Sequence, residues 1–267
     1  MFRKISAYLI GLIFFFPIFF LISSAIKPTK DIFAIPPKIL FFSIDLKNFQ
    51  NAFSQINFFP SIVDSFIIAF GSASWTLVIA VYSSYYLSRN NFKFKNLFIV
   101  SIISTRMMPL VSISIPIYFV LSRLNLLDSY LGLILVHSCI NLPLAVLLMK
   151  SFFDDIPKDI DEAALLDGAS RFFVFWRLIV PLAIGGIAAT AVLCFIFSWT
   201  EFIFVLMLTQ TGLKTIPVVS TSFVTSTGTA WDNMAALGTA AIIPAFIFIL
   251  LVQRHLVRGL TLGSVKQ

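Results

Sequence analysis

The sequence predicts an all-α integral membrane protein, with six transmembrane helices and a cytoplasmic Glu-Ala-Ala loop between spans four and five. Three observations carry that expectation. Hydrophobic residues make up 59% of the 267 positions and charged residues 12%, where a soluble domain carries roughly 25% charge; mean hydropathy is +0.98. Six apolar runs reach the roughly 20 residues that a helix needs to cross the hydrocarbon core. The longest charged segment, Asp161 to Pro181, reads DEAALLDGASRFFVFWRLIVP and falls between the fourth and fifth of those runs. The expected organisation is a single transmembrane domain over 1–267, with the loop at 151–181 inside it.

The runs, taken in order, are 5–26, 62–87, 97–121, 130–149, 182–208 and 234–252. The first follows Arg3 and Lys4 and ends near Ser23-Ser24-Ala25, which resembles a signal peptide. Its apolar stretch exceeds the roughly 7–15 residues of a signal core, so it reads as a retained span. A further stretch at 32–44 is interrupted by Pro36, Pro37 and Lys38 and reads as part of a long external loop. Inside the spans, Pro109, Pro116 and Pro143 mark places where helices loosen and line a cavity.

Charge sets the orientation. With the N-terminus inside, twelve basic residues fall on inner segments, among them Arg89, Lys93, Lys95, Lys150, Lys158, Arg171 and Arg177. Six fall outside: Lys27, Lys30, Lys38, Lys47, Arg123 and Lys214. Both termini and the Glu-Ala-Ala loop are therefore expected in the cytoplasm. The net charge of +7 reads as this topology signal, and the sequence lacks the basic-aromatic interleaving of a nucleic-acid surface. Cys139 and Cys194 both lie in apolar stretches and read as packing residues. The 31 phenylalanines read as lipid-facing filler.

The loop follows helix-end chemistry. Pro157 suits a first helical turn, and Asp159, Asp161 and Glu162 complement the dipole near that start. A short helix is expected from Lys158 to Asp167, with Gly168 as the left-handed residue that ends it. Ser170 caps a second helix through Phe172, Phe175 and Trp176 toward Pro181. Ala163 and Ala164 let a partner approach closely, and Glu162 offers a charge for a basic residue. The competing reading is an amphipathic interfacial helix with no partner. The fixed distance to Gly168 and the Leu178-Ile179-Val180-Pro181 ending favour a docking surface made of Glu162, Ala163, Ala164, Asp167 and Gly168.

With Glu162-Ala163-Ala164, Gly168 and Pro181 at that spacing, the sequence resembles the transmembrane permease subunits of ABC importers. Their loop reads Glu-Ala-Ala, three residues, Gly, nine residues, then Ile-x-Leu-Pro; here Leu178 and Val180 stand for Ile and Leu. Further segments resemble the carbohydrate, maltose-type branch: Met108-Pro109, Ile115-Pro116-Ile117-Tyr118, Leu142-Pro143-Leu144-Ala145, Phe152-Phe153 with Ile156-Pro157, and Trp199-Thr200-Glu201-Phe202. The tail from Gln253 to Thr261, with Gly263 and Lys266, does the same. Departures are Thr200, where the branch usually has Asn, and Tyr85-Tyr86, where it has small residues.

The resemblance implies half of a translocation pathway in a bacterial or archaeal cell membrane. Its implied partners are a second, homologous permease, two ATPase subunits and an extracytoplasmic solute-binding protein. The loop helix would sit in a groove of the ATPase, and Thr211 to Trp231 would touch the binding protein. No cofactor is expected in this chain, since ATP and Mg would be bound by the partner ATPase.

Nothing in the chain matches a phosphate-cradling loop, a Gly-x-Ser-x-Gly elbow, or metal-ligand spacing between His137 and His255, so it is not read as an enzyme. Ionisable groups at membrane depth default to functional candidates. Arg106 and Glu201 are therefore candidate pathway residues, with a helix-junction role as the competing reading. Asn141 and Trp199 are candidate sugar contacts through hydrogen bonding and ring stacking. Trp75 and Tyr118 read as packing or interface anchors, and His137 as a satisfied polar residue near the outer interface. The leading function is the permease of an importer for a sugar, oligosaccharide or sugar-phosphate. The alternatives are a stand-alone secondary transporter or channel, an ABC permease for a non-carbohydrate solute, and a membrane scaffold.

Overall fold

The computed structural model describes residues 2–36, 38–226 and 228–263, with side chains over 5–36, 38–226 and 228–253. Among the described residues, four helices are long and apolar enough to cross a membrane, and two bent helix pairs bring the number to as many as six. The four contain the segments Ile5–Ala25, Phe58–Arg89, Tyr130–Asp154 and Trp231–Gln253, matching the first, second, fourth and sixth apolar runs.

The third and fifth runs are not single rods. The stretch expected as one span at 97–121 is divided into α5 (Lys95–Thr105) and α6 (Leu110–Arg123), which meet at 94°. Pro109 explains the break: it donates no hydrogen bond, and it pushes the residue before it out of helical conformation. The fifth run holds α11 (Ile184–Trp199) and α12 (Ile203–Leu208), separated at Thr200 to Phe202. The segment ahead of it, Arg171–Leu182, joins α11 at 72°. A hydropathy window sees only total apolar length, so it cannot register a change of direction inside that length.

Residue contacts group the chain into two units, Met1–Val63 with Lys214–Pro244, and Asp64–Leu213 with Ala245–Gln267. In the first unit, α1 (Phe2–Ala25) leads to α2 (Thr29–Ile32), irregular stretches over 33–36 and 38–46, and α3 (Lys47–Gln55). The stretch rejected as a span is thus largely non-helical. The end of α1 is held by the buried Asn48, whose amide donates to the carbonyls of Ala25 at 3.0 Å and Lys27 at 2.7 Å. Helix termini leave such carbonyls without partners, and this side chain supplies one. Phe223, Ala236 and Leu237 form a small core with Ala52 and Phe58. After α13 (Ile216–Ser220) and a 3₁₀ turn, Val224 pairs with Thr229 in a two-stranded hairpin.

The second unit carries the larger core, built on α4 (Phe58–Arg89), α7 (Tyr130–Asp154) and α11. Small polar residues join them: the Ser72 and Ser198 hydroxyls lie 2.7 Å apart, and Ser138 donates to the Ser72 carbonyl at 3.2 Å. In lipid, small residues allow backbones to approach and hydroxyls to bond across helices. Gly186 shows how close that approach is, because a Cβ there would stand 2.4 Å from Phe152 Cγ. α14 (Trp231–Gly263) closes the chain, with Phe248 stacked on Phe195 at 4.0 Å. Of the tail matched in the sequence, Gln253 is the last residue with a placed side chain, and Lys266 lies outside the described residues.

Candidate functional site

The charged loop folds as two short helical segments. α8 (Asp159–Leu166) begins with Asp159, Asp161 and Glu162 in its first turn and ends ahead of Gly168, whose φ of 86° is the left-handed conformation expected of it. The Ser170 hydroxyl then accepts from the Phe173 N–H at 3.3 Å and opens the second segment. That segment runs through α9 (Arg171–Phe173), a π turn (Val174–Ile179) and α10 (Val180–Leu182). Pro181 has no N–H for the carbonyl one turn back, so a wider turn ahead of it is where the ladder adjusts.

Helical periodicity divides α8 into two faces. Glu162, Ala163, Asp167 and Gly168 are exposed, together with Leu165 and with Leu166 at 89% exposure. Ile160 and Ala164 instead pack against the core of the second unit. Four of the five expected docking residues therefore share the outer surface, while Ala164 is half-buried beneath them. Glu162 makes no ion pair within the chain among the described residues.

Asp161 is the acid of α8 that turns inward, and sequence reasoning assigned it only a dipole role. Its Oδ1 accepts from the Tyr85 hydroxyl at 2.5 Å, and its Oδ2 accepts from Arg89 Nε at 2.9 Å. A second guanidinium nitrogen lies 2.9 Å from Oδ2, and the side chains of both charged partners are 10% exposed. The third nitrogen of Arg89 donates to the Phe153 carbonyl at 2.9 Å, near the end of α7. The signal was present in the sequence: Ile160 and Ala164, four residues apart, give the helix an apolar face, and an acid beside that face needs a partner.

A second polar cluster surrounds a cavity of about 380 Å³ lined by Arg106, His137, Asn141, Phe197, Ser198, Thr200 and Glu201, with Leu110, Ile140, Phe202 and Ile203. Arg106 ends α5 at the break before Pro109, and its guanidinium lies 5.4 Å from the Phe197 ring centroid. Glu201 sits in the break between α11 and α12. Its carboxylate accepts the N–H groups of Phe204 at 3.0 Å and Val205 at 3.3 Å, which caps α12. Asn141 is buried and donates to Ser198 Oγ at 2.9 Å and the Cys194 carbonyl at 3.3 Å.

The cavity thus brings together Arg106, Asn141 and Glu201 among the sequence candidates, but not Trp199. That indole is buried and stacks on Phe195 at 5.6 Å; the phenyl rings lining the cavity are those of Phe197 and Phe202. His137, expected as a satisfied polar residue, has Glu201 as its neighbour. It is 1% exposed, and its Nε2 lies 3.5 Å from Glu201 Oε2, while Nδ1 has no hydrogen-bond partner among the described residues. No cluster of three or more metal-ligating side chains occurs among the described residues.

One carboxylate outside both clusters is also held by backbone. Asp128, between α6 and α7, accepts from the N–H groups of Gly212 at 2.8 Å and Leu213 at 2.9 Å, and from Thr211 at 3.2 Å. Burial works against its charge, but those donors outweigh burial and hold the carboxyl below its ordinary value.

Comparison with known proteins adds identity to this geometry. Residues 76–262 match the family described as "Binding-protein-dependent transport system inner membrane component". The permease protein SmoH of the sulfoquinovosyl glycerol transport system of Agrobacterium fabrum is 31% identical over 252 residues, covering 94% of this chain and 88% of that protein. The diacetylchitobiose uptake permease DasC of Streptomyces coelicolor is 33% identical over 258 residues, covering 96% and 93%. In fold, the chain resembles a subunit of a bacterial ABC transporter that imports the acidic polysaccharide alginate. The TM-score is 0.71, with 22% identity and 95% of each chain covered.

Proposed function

We propose that this chain, which belongs to the binding-protein-dependent transport system inner membrane component family, forms half of a carbohydrate translocation pathway and is driven through its loop at 151–181 by a separate ATPase. It is a permease component of an ABC importer, a multi-pass membrane protein. Carbohydrate is the solute class of its relatives SmoH and DasC, and the cavity around Arg106, His137 and Asn141 offers the mixed polar and aromatic lining that hydroxylated rings bind.

The observation that carries the driving mechanism is the outer face of α8. It exposes Glu162, Ala163, Asp167 and Gly168 beside the apolar Leu165 and Leu166. An exposed apolar surface rimmed by charge marks a protein contact. ATP and Mg would be held by the ATPase, whose closure moves α8. The remaining assembly follows the family: a second permease, two ATPase subunits and an external solute-binding protein, the last meeting the segment from Thr211 to Trp231. Both termini and the loop face the cytoplasm, in accord with the basic residues on that side.

The test is a mild-detergent pull-down of the tagged chain, with co-purifying proteins identified by mass. Recovery of an ATPase and a second permease supports the assignment, and Glu162→Lys should then reduce the ATPase recovered while the chain still inserts. A homo-oligomer carrying no ATPase would overturn it.

A further inference from the structure

A docking face can move the spans only if it is mechanically tied to one of them. α8 has eight residues, too few to persist as a helix in water by themselves, and Gly168 follows it with nothing within 4 Å of its virtual Cβ. What holds α8 in place lies on its inner side. Asp161 spends one oxygen on Tyr85 and the other on Arg89. Arg89 in turn holds the Phe153 carbonyl, so one guanidinium joins α4, α7 and α8. The Tyr85 ring completes the tie, with centroids 5.6 Å from Phe153 and 4.9 Å from Phe175, one on each side of α8 in the sequence. A buried ion pair is weak evidence of net stability, because desolvation offsets its attraction; its stronger effect is to disfavour every geometry that leaves one partner alone.

The geometry points to Arg89, Tyr85 and Asp161 as positioning residues that clamp the docking helix α8 to the end of α4, so that the two move as one body when an ATPase displaces the outer face of α8. This rests on the permease assignment, since it names the load path from the docking surface to the spans. It also gives Tyr85 a defined role. Its hydroxyl supplies the second donor to Asp161.

The clamp is tested on the chain purified with whatever ATPase accompanies it and reconstituted in nanodiscs, as wild type, Asp161→Asn, and the pair Arg89→Gln with Asp161→Asn. Hydrogen exchange is read over amides 159–166, and ATP turnover is read per complex. Asp161→Asn should raise exchange there about tenfold or more while 184–199 keep their protection. Turnover should fall about fivefold with the amount of bound ATPase unchanged, since the outer face is untouched. The double variant separates positioning from folding. Removing both charges should restore thermal stability toward wild type but leave turnover low. Unchanged exchange in Asp161→Asn would overturn the clamp, as would turnover restored in the double variant. A wild-type chain with no ATPase would instead count against the permease assignment, while exchange, read on this chain alone, still decides whether the clamp holds α8.

Discussion

The two polar clusters of the second unit use similar residues to opposite ends. At the clamp, Asp161 and Arg89 are paired with each other, with Tyr85 and with the Phe153 carbonyl, and Arg89 Nη2 has the ion-pair contact with Asp161 alone. At the cavity, Arg106 lies against the Phe197 ring and makes no ion pair among the described residues, and His137 has Glu201 at 3.5 Å from Nε2 but no hydrogen-bond partner at Nδ1. Polar groups cut off from water are costly unless satisfied. A network whose charges are paired with each other therefore holds one geometry, and one that leaves a cation without a carboxylate keeps capacity for something that arrives. The first suits a mechanical joint, and the second suits a surface that meets a hydroxylated solute.

The sharpest way to break this comparison is to delete one charge from each cluster. Arg89→Gln leaves Asp161 buried without its cation and should cost about 3 kcal/mol or more of stability. Arg106→Gln removes a cation that balances no carboxylate and should cost less than about 1 kcal/mol, with its effect appearing in transport of the solute. Thermal unfolding of both variants in the same detergent reads the difference. Equal losses would mean that the clusters are not distinguished by satisfaction.

Glu201 belongs to the cavity by position but to the clamp by bonding, since its carboxylate caps α12 through Phe204 and Val205. Glu201→Ala should cost about 1–2 kcal/mol, in the range of losing a helix cap, whereas Glu201→Gln keeps an acceptor and should lose less than half of that. If the glutamine variant is fully stable yet fails to transport, the charge itself serves the solute and the cap is incidental.

Much of this arrangement was legible in the chain, and the illegible part has a common cause. Gly168 and Ser170 act locally, on their own helix ends, so their chemistry could be read from spacing alone. The outward set of Glu162, Ala163 and Asp167 was legible for the same reason. Asp161 stands in the first turn as expected, but its pairing was missed because its partners, Tyr85 and Arg89, lie more than 70 residues earlier, and Arg89 already had a sufficient reading as a topology charge. Trp199 was assigned to the pathway by residue type, but two helical steps, about 200°, separate it from Phe197, which lines the cavity. The 94° break at Pro109 had a visible proline, yet apolar length carries no direction.

Asp128 offers the smallest effect and a test of whether satisfaction, rather than location, sets the cost. It lies in neither cluster, and its donors are backbone N–H groups at 211–213 rather than a cation. Asp128→Asn keeps one acceptor and should cost about 1 kcal/mol at neutral pH, the order expected for hydrogen bonds to a charged group partly retained. The sign of its pH dependence follows from the depressed carboxyl. The folded state favours the ionised form, so the contribution is complete above the ordinary value of 3.8 and is lost as pH falls through the lower folded value. The stability gap between wild type and Asp128→Asn should therefore hold steady from pH 7 down to about 4 and narrow below that. A gap that stayed constant down to pH 2 would show that the asparagine is penalised for its shape or its amide. The backbone donors at 211–213 would then not be a charge-selective support of the kind that Arg89 provides for Asp161.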